Sequence, residues 1–254
     1  MTSRERVLTA LAHQPTDRVP IDFGAMRSTG ISAVGYGRLT RHLGLDVPIL
    51  VYDVVQGLAQ PDWAVLDRFG VDVLDLGRAW FTEPSDWRDW TLPDGTPAKA
   101  PAWFQPESDG QGGWRVRGDH GQVIGVMPRG QEFLTQTFRP LAPGAPLALR
   151  TCREESEGMS RVTSLDDLAH AMAQVTWGRC ACAPWHPGLD DQRWEEMRIR
   201  AAELRATTDK AILCAFGGNL MEWSQFLRGF GQFLLDLAER PRYAHWLLDA
   251  LTEL

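Results

Sequence analysis

Apolar and polar positions alternate along this chain in two periods. From Ser3 to His13, Val7, Leu8, Leu11 and Ala12 recur at helical spacing. Thr2 and Glu5 stand where a capping box needs them. Val19–Phe23 is a short run rich in β-branched residues and predicts a buried strand ended by Gly24. A helix follows over Ser32–Leu43 and stops at Gly44. Ile49–Val55 predicts a second strand, and Asp62–Phe69 a helix closed by Gly70. Val71–Leu76 predicts a third strand, with Asp72 and Asp75 alternating into it.

The texture changes from Pro84 to Pro146, where Gly, Pro, Trp and turn dipeptides dominate. Asp94-Gly95 and Asp109-Gly110 are turn signals, and Trp114–Arg117 and Gln122–Met127 predict paired strands around Asp119-His120-Gly121. Residues 84–146 therefore read as a β-hairpin layer inserted into a repeat, and Leu141–Met159 as a polar connector. The repeat resumes with helices over Ser164–Gln174 and Trp194–Thr207 and a fourth strand over Ala211–Phe216. Helical patterning over Leu220–Ala238 is interrupted at Gly229 and Gly231. Tyr243, Trp246, Leu247, Ala250, Leu251 and Leu254 form the cleanest apolar stripe of all.

Composition narrows the class without choosing a chemistry. At 254 residues, 44% hydrophobic and 23% charged, the chain is an ordinary globular sequence. A net charge of −7 leaves no electrostatic footprint for nucleic acid or an anionic membrane. No apolar run approaches the ~20 residues of a spanning helix. The start lacks the apolar core of a signal peptide. Four cysteines without a regular framework predict reduced thiols and a cytoplasmic protein. Eleven tryptophans, several beside charged or Gly/Pro residues, predict half-buried surfaces or a ligand pocket in addition to core.

Candidate chemistry gathers on the loops that follow the strands, where a β/α repeat carries its function. The first such loop holds Asp22, Arg27, Ser28 and Thr29. Asp22 either points into the mouth of the fold or accepts a local backbone bond. Asp53, at the end of the second strand, either caps the next helix or accepts N–H bonds from a ligand and stabilises positive charge there. Gly217-Gly218 after the fourth strand lets a ligand approach the backbone, although no Walker or dinucleotide spacing surrounds it. Cys180, Cys182 and His186 are too few for a zinc site, so no metal ligands are assigned.

Read together, Ser3-Arg-Glu-Arg-Val-Leu, Asp17-Arg-Val-Pro-Ile-Asp-Phe-Gly, Val51-Tyr-Asp-Val-Val, Ala183-Pro-Trp-His, and Phe216-Gly-Gly with Phe226-Leu-Arg-Gly-Phe resemble the uroporphyrinogen decarboxylase superfamily. The likeness runs over nearly the whole chain and is strongest toward the branch grouped with corrinoid-linked methyltransferases. It implies an α/β fold of the TIM-barrel, (β/α)8 kind, of which residues 1–254 would form one domain holding the N-terminal portion, about four repeat strands. Four strands cannot close a barrel, so unpaired strand edges and uncovered helix faces, the Tyr243–Leu254 stripe among them, are expected to make the chain a homo-oligomer or a poorly soluble fragment.

The resemblance also implies roles. Asp53 matches the aspartate that faces the pyrrole N–H groups in the decarboxylases, and Arg27 matches the first arginine of their loop motif, which binds substrate carboxylates. The motif's second arginine falls at Ile31, and the family tyrosine falls at Phe226. Both departures oppose true uroporphyrinogen decarboxylation, because a substrate with many carboxylates needs several cations. Family methyltransferases hold zinc through a His-x-Cys pair and a later cysteine, and this chain contains no His-x-Cys. The expected function is methyl transfer from a small methylated compound, with zinc and a partner-borne corrinoid in a complete relative and no cofactor in this chain. The alternatives are a tetrapyrrole decarboxylase of porphyrin biosynthesis and a non-catalytic fragment or binding module. The expected partners are a small-molecule substrate and a corrinoid protein.

Overall fold

The computed structural model describes residues 1–143, 152–153, 161–162, 165–185, 191–215 and 217–254. In chain order the elements are α1 (Ser3–Leu11), β1 (Ile31–Ser32), α2 (Ala33–His42), β2 (Leu50–Asp53), β3 (Leu58–Gln60), α3 (Trp63–Arg68), β4 (Val73–Asp75), β5 (Trp87–Thr91), β6 (Pro97–Pro101), β7 (Glu107–Ser108), β8 (Trp114–Arg117), β9 (Val123–Met127) and β10 (Thr135–Gln136). They continue with β11 (Cys152–Arg153), β12 (Arg161–Val162), α4 (Leu165–Ala173), α5 (Thr176–Arg179), α6 (Asp191–Ala206), β13 (Ala211–Leu213), α7 (Leu220–Arg228), α8 (Phe230–Glu239) and α9 (Pro241–Glu253). The chain divides into two compact units. The first holds Met1–Gln105, Arg129–Leu134 and Cys180–Ala215, and the second holds Pro106–Pro128, Thr135–Arg179 and Phe216–Leu254.

In the first unit, local chemistry sets the helix ends. Thr2 and Glu5 form the capping box of α1. The Ser32 side chain accepts the Gly35 amide at the start of α2, and the Asp62 side chain accepts the Ala64 amide at the start of α3. Gly44 and Gly70 take the left-handed conformation just beyond α2 and α3. The core between these elements includes Tyr36, Val65, Leu66, Val71 and Leu74, all at most 1% exposed.

The strands depart from the expected barrel. Among the described residues, none of the sheets closes and no eight-stranded parallel barrel, whole or in part, is present. Instead β1-β3-β2-β6-β5 form a mixed five-stranded sheet and β13-β4 form a separate parallel pair. β2 is the element that breaks the expected repeat. It runs antiparallel to β3 through a tight turn at Val54–Gly57, where Gly57 has a φ of +64°, and it pairs parallel only with β6. A strand that turns straight back on itself cannot feed a crossover helix.

Val19–Phe23, expected as the first strand, is not one. Pro20 supplies no N–H, and the Ile21 amide donates to the Asp72 carboxylate at 2.9 Å instead of to a ladder carbonyl. One backbone bond remains, from the Asp72 amide to the Ile21 carbonyl at 2.8 Å. Val19 is 79% exposed, so it is not buried strand either. Asp72 is itself a tie point, accepting Arg6 at 2.7 Å and Arg18 at 2.6 Å.

The second unit contains the antiparallel sheet β10-β9-β8-β7. Trp114–Arg117 and Val123–Met127 pair antiparallel, as the intervening Asp-His-Gly turn predicts. The β5–β6 hairpin around Asp94-Gly95 belongs to the first unit. The residues from Pro84 to Pro146 are therefore shared between the two units. Of the Leu141–Met159 connector, residues 144–151 and 154–159 lie outside the described ones.

The stripe on α9, expected to lie uncovered, is packed. Tyr243, Ala244, Leu247, Ala250 and Leu251 form one cluster with Leu168 and Ala171 of α4, Leu227 of α7 and Phe233 of α8. Arg228 is buried beside them. It pairs with Asp236 at 2.6 Å, donates to the Leu141 carbonyl, and lies 4.9 Å from the Tyr243 ring centroid. Gly229, at a φ of +98°, separates α7 from α8. Exposed apolar side chains in this unit include Phe230 at 64% and Leu235 at 51% on α8, and Leu254 at 52%.

Candidate functional site: a recess of carboxyl groups, an arginine and a thiol

The first unit brings together the ends of two strands and two loops. β2 ends at Asp53 and β4 ends at Asp75, each an apolar run closed by an aspartate. The Asp22–Gly30 loop settles on the β3 hairpin because two glycines permit a close approach. A Cβ on Gly24 would meet the Pro61 ring at 2.8 Å, and one on Gly30 would meet the Leu58 side chain at 2.8 Å. This seat delivers Arg27, in a single 3-10 turn over Arg27–Thr29, to the end of β2.

Arg27 Nε lies 2.8 Å from Asp53 Oδ2, and Arg27 Nη2 donates to Cys182 Sγ at 3.1 Å. Asp53 is 1% exposed. Its Oδ1 accepts the amides of Val55 at 2.9 Å and Gln56 at 3.0 Å, and its Oδ2 also accepts the Gln56 side-chain amide at 3.2 Å. Asp53 thus caps the turn of the β2–β3 hairpin rather than a helix. With both oxygens engaged in this way, it serves chiefly to hold the turn and to fix Arg27. Burial disfavours the charge on Arg27, but Cys182 and Asp53 outweigh it, so the guanidinium is held more firmly protonated than usual.

Cys182 sits in the segment Cys180–Trp185, which packs against the backbone just beyond β4. A Cβ on Gly77 would lie 2.6 Å from Asp75 Oδ2 and 2.7 Å from the Ala183 carbonyl. Only glycine admits both neighbours without displacement. Burial pushes the Cys182 thiol up to about 11 despite the Arg27 contact, so it is a neutral thiol and not a ready nucleophile.

Asp75 carries the largest electrostatic anomaly. Burial pushes its carboxyl up to about 7. The Gly77 amide, Arg78 and Arg27 oppose that rise, and the Asp22 charge adds to it. The residue as a whole is half-buried, and burial of its carboxyl is the largest cause of the rise. A carboxyl that gains and loses its proton near neutrality suits acid–base work. Around it, Arg78 donates to the Pro61 carbonyl and lies 5.4 Å from the Trp63 ring centroid. Cys214, just past β13, also feels the Asp75 charge, which adds to burial in raising its thiol.

Tyr52 completes the group. It is 5% exposed and packs with Leu58, Cys182 and Trp87. Its hydroxyl has no hydrogen-bond partner among the described residues. Burial raises the phenol well above its usual range, and Asp75 is the charged neighbour that adds most to this.

The remaining expected site residues are placed as follows. Asp22 Oδ1 accepts the Ala25 amide at 3.0 Å, a local bond, while its charge reaches Asp75. Thr29 closes its turn through the Met26 backbone, and Ser28 is exposed. Gly217, Gly218 and Phe226 belong to the second unit. There Phe226 stacks on Trp177 with ring centroids 5.1 Å apart, and the Gly217 carbonyl accepts the Trp223 indole N–H. His186 and Phe216 lie outside the described residues. The residues missed in the sequence are Asp75, Tyr52, Cys182 and Arg78. The signal for Asp75 was present: Val73-Leu74-Asp75 before a turn repeats the pattern of Val51-Tyr52-Asp53.

Among the described residues, no group of three or more His, Cys, Asp or Glu side chains is disposed to hold a metal ion. No helix among them is long and apolar enough to cross a membrane. Comparison with family models, with characterised proteins and with solved structures yields no match.

Proposed function

We propose that this chain binds a small methylated compound and takes part in methyl transfer from it, in the cytoplasm, with a corrinoid carried by a partner protein as acceptor. The resemblance to the methyltransferase branch of the uroporphyrinogen decarboxylase superfamily supplies the reaction class. The observation that carries the reading is Asp75, whose carboxyl burial pushes up to about 7 although the charges of Arg27 and Arg78 oppose the rise. When a methyl group leaves oxygen, nitrogen or sulfur, the bonding pair stays on the heteroatom, which then takes a proton. A carboxylic acid poised near neutrality supplies it.

Among the described residues no ligand set for the zinc of the relatives gathers, and the Cys182 thiol is neutral. No step is assigned to zinc. The decarboxylase alternative is disfavoured by Asp53. Its oxygens accept two turn amides and the Gln56 side chain, and it is ion-paired with Arg27, which leaves little of the carboxylate for pyrrole N–H groups. Ile31 and Phe226, lacking the charge and the hydroxyl of the family pattern, point the same way.

The test is a panel of small O-, N- and S-methyl compounds incubated with the protein and a reduced corrinoid acceptor, with the demethylated product read by mass spectrometry. Turnover of one class, lowered by roughly a hundredfold in Asp75→Asn, is expected. Product from none of the panel, with none of its members bound, refutes the reading.

A further inference from the structure

The polar side chains of α8 are turned the wrong way for a surface helix. Asp236 is 1% exposed, pairs with Arg228 at 2.6 Å and accepts the Gln232 side-chain amide at 3.0 Å. Phe233 is buried in the cluster that also holds the α9 stripe. Apart from Glu239 at the last position, the residues left exposed on α8 are Phe230, Gly231, Leu234, Leu235, Leu237 and Ala238, none of them polar. Phe230 is 64% exposed, Leu235 51%, Leu234 42% and Leu237 39%. At ~170–200 Å² for a fully exposed side chain of this size, these four leave about 350 Å² of apolar surface, as much as the largest patch on many monomers.

We propose that this face is a contact between two copies of the chain, with α8 packed antiparallel against α8 of the second copy about a two-fold axis through Leu234. Phe230, Leu234 and Ala238 follow one another four residues apart and so form one ridge of the helix. Reversed on itself about Leu234, the ridge sets Phe230 against Ala238 of the second copy, a large side chain against a small one, at both ends. A parallel pairing instead sets Phe230 against Phe230 and Ala238 against Ala238, which overfills one end and empties the other. Beside the ridge, a Cβ on Gly231 would meet nothing within 4 Å, so the approach of a second helix is open there. The charges at the two ends of the helix favour the same direction. Arg139 lies at the N-terminal end, where a Cβ on Gly229 would be 3.1 Å from its Cδ, and Glu239 is exposed at the C-terminal end. Antiparallel packing brings these opposite signs together and opposes the helix dipoles, whereas parallel packing brings like charges together. The face itself carries no charge, so the contact buries none. Two such faces bury about 700 Å² of apolar side chain, short of the ~1,200 Å² of a standard interface, so the dimer is a weak one, with a dissociation constant in the micromolar range or above.

Sedimentation of the full chain, from low micromolar to submillimolar concentration, tests this. The average mass should rise with concentration from the monomer toward twice that value and stop there, because a two-fold contact closes on itself. Leu234→Arg places two cations together on the axis and should weaken association at least tenfold, while melting stays unchanged because the side chain is already partly in water. Phe230→Ala and Ala238→Phe should each weaken association about tenfold, and the double exchange should restore it, since it sets large against small once more. Should any variant fail to fold, the dilution series on the unmodified protein still decides. A monomer at every concentration, as expected if the face receives a different protein, overturns the proposal. Growth beyond the dimer, association undiminished in Leu234→Arg, or a folded double exchange that restores nothing overturns it as well.

Discussion

Arg27 Nε and Asp53 Oδ2 lie 2.8 Å apart, joining a surface loop to the turn of the β2–β3 hairpin. Asp53 is almost fully buried, so removing its cation leaves a carboxylate in a poor solvent for charge. The turn amides of Val55 and Gln56 remain on it and soften the loss. Arg27→Met should therefore cost about 2–3 kcal/mol, toward or below the low end for breaking a buried pair. Urea denaturation measures this. A double variant with Asp53→Asn should be more stable than the sum of the two single losses predicts, because the uncompensated charge is gone. Strict additivity would show that the pair is uncoupled.

The pH dependence of Asp75 has a definite sign. Its carboxyl is raised to about 7 in the folded chain, against an ordinary value near 4 unfolded. Between those values the folded chain holds the proton and the unfolded chain does not, so stability falls as pH rises from about 4 to about 7. The full effect, present above pH 7, is on the order of a few kcal/mol. Asp75→Asn removes the ionisation, so it should raise the melting temperature at pH 8, raise it less at pH 5, and change it little at about pH 3. Melting curves across that range check the sign, and a variant less stable at pH 8 than the unmodified protein contradicts it.

Asp72 titrates the opposite way. Burial alone would raise its carboxyl, but hydrogen bonds from Arg18, the Ile21 amide, Ser3 and Arg6 outweigh burial and hold it at about 2. Its contribution is present above the unfolded value near 4 and is lost as pH falls through about 2. Asp72→Asn should lower stability at pH 7 by about 3 kcal/mol, since it strips a buried cluster of its anion. The deficit should shrink as the unmodified protein is taken into that acid range. Equilibrium denaturation at several pH values measures both, and a deficit that stays constant down to pH 2 would assign the loss to packing.

What was legible in the sequence is what neighbouring residues settle among themselves. The capping box at Thr2 and Glu5, the caps at Ser32 and Asp62, and the break at Gly229 each depend on a few adjacent residues. The hairpin across Asp119-His120-Gly121 is of the same kind. Sheet partners are not local. Leu50–Asp53 has the composition of a parallel strand, yet Gly57 turns it back on itself, and only the pairing with Leu58–Gln60 reveals this. Val19–Phe23 looks like strand, but a carboxylate more than fifty residues away, Asp72, takes its amide. The α9 stripe read as uncovered because a four-stranded part of a barrel would leave it bare, whereas α4, α7 and α8 cover it. In the site, Arg27 and Asp53 were visible as residues, while the recess needed Asp75, whose acidity is set by burial that no short motif encodes.

Gly57 makes the sharpest structural prediction. Its φ of +64° belongs to the left-handed region, which costs an alanine about 1 kcal/mol. Gly44 has nearly the same φ, +66°, but a Cβ there would meet nothing within 4 Å. A Cβ on Gly57 would instead lie 2.1 Å from the Glu132 carbonyl oxygen, a backbone atom that cannot swing aside. The Leu134 amide also donates to the Val55 carbonyl at 2.8 Å, so the segment after Glu132 is tied to the same turn. Gly44→Ala should therefore lose about 1 kcal/mol, and Gly57→Ala about 3 kcal/mol or more, because strain and displacement add. Gly57→Ala should also loosen Asp53, whose two amide donors lie in the turn that must shift, and with it Arg27. Hydrogen exchange at Val55 and Gln56 reads this directly. Faster exchange at those amides in Gly57→Ala, with none in Gly44→Ala, is the expected result. Equal losses of stability in the two variants would mean that the turn does not hold the recess together.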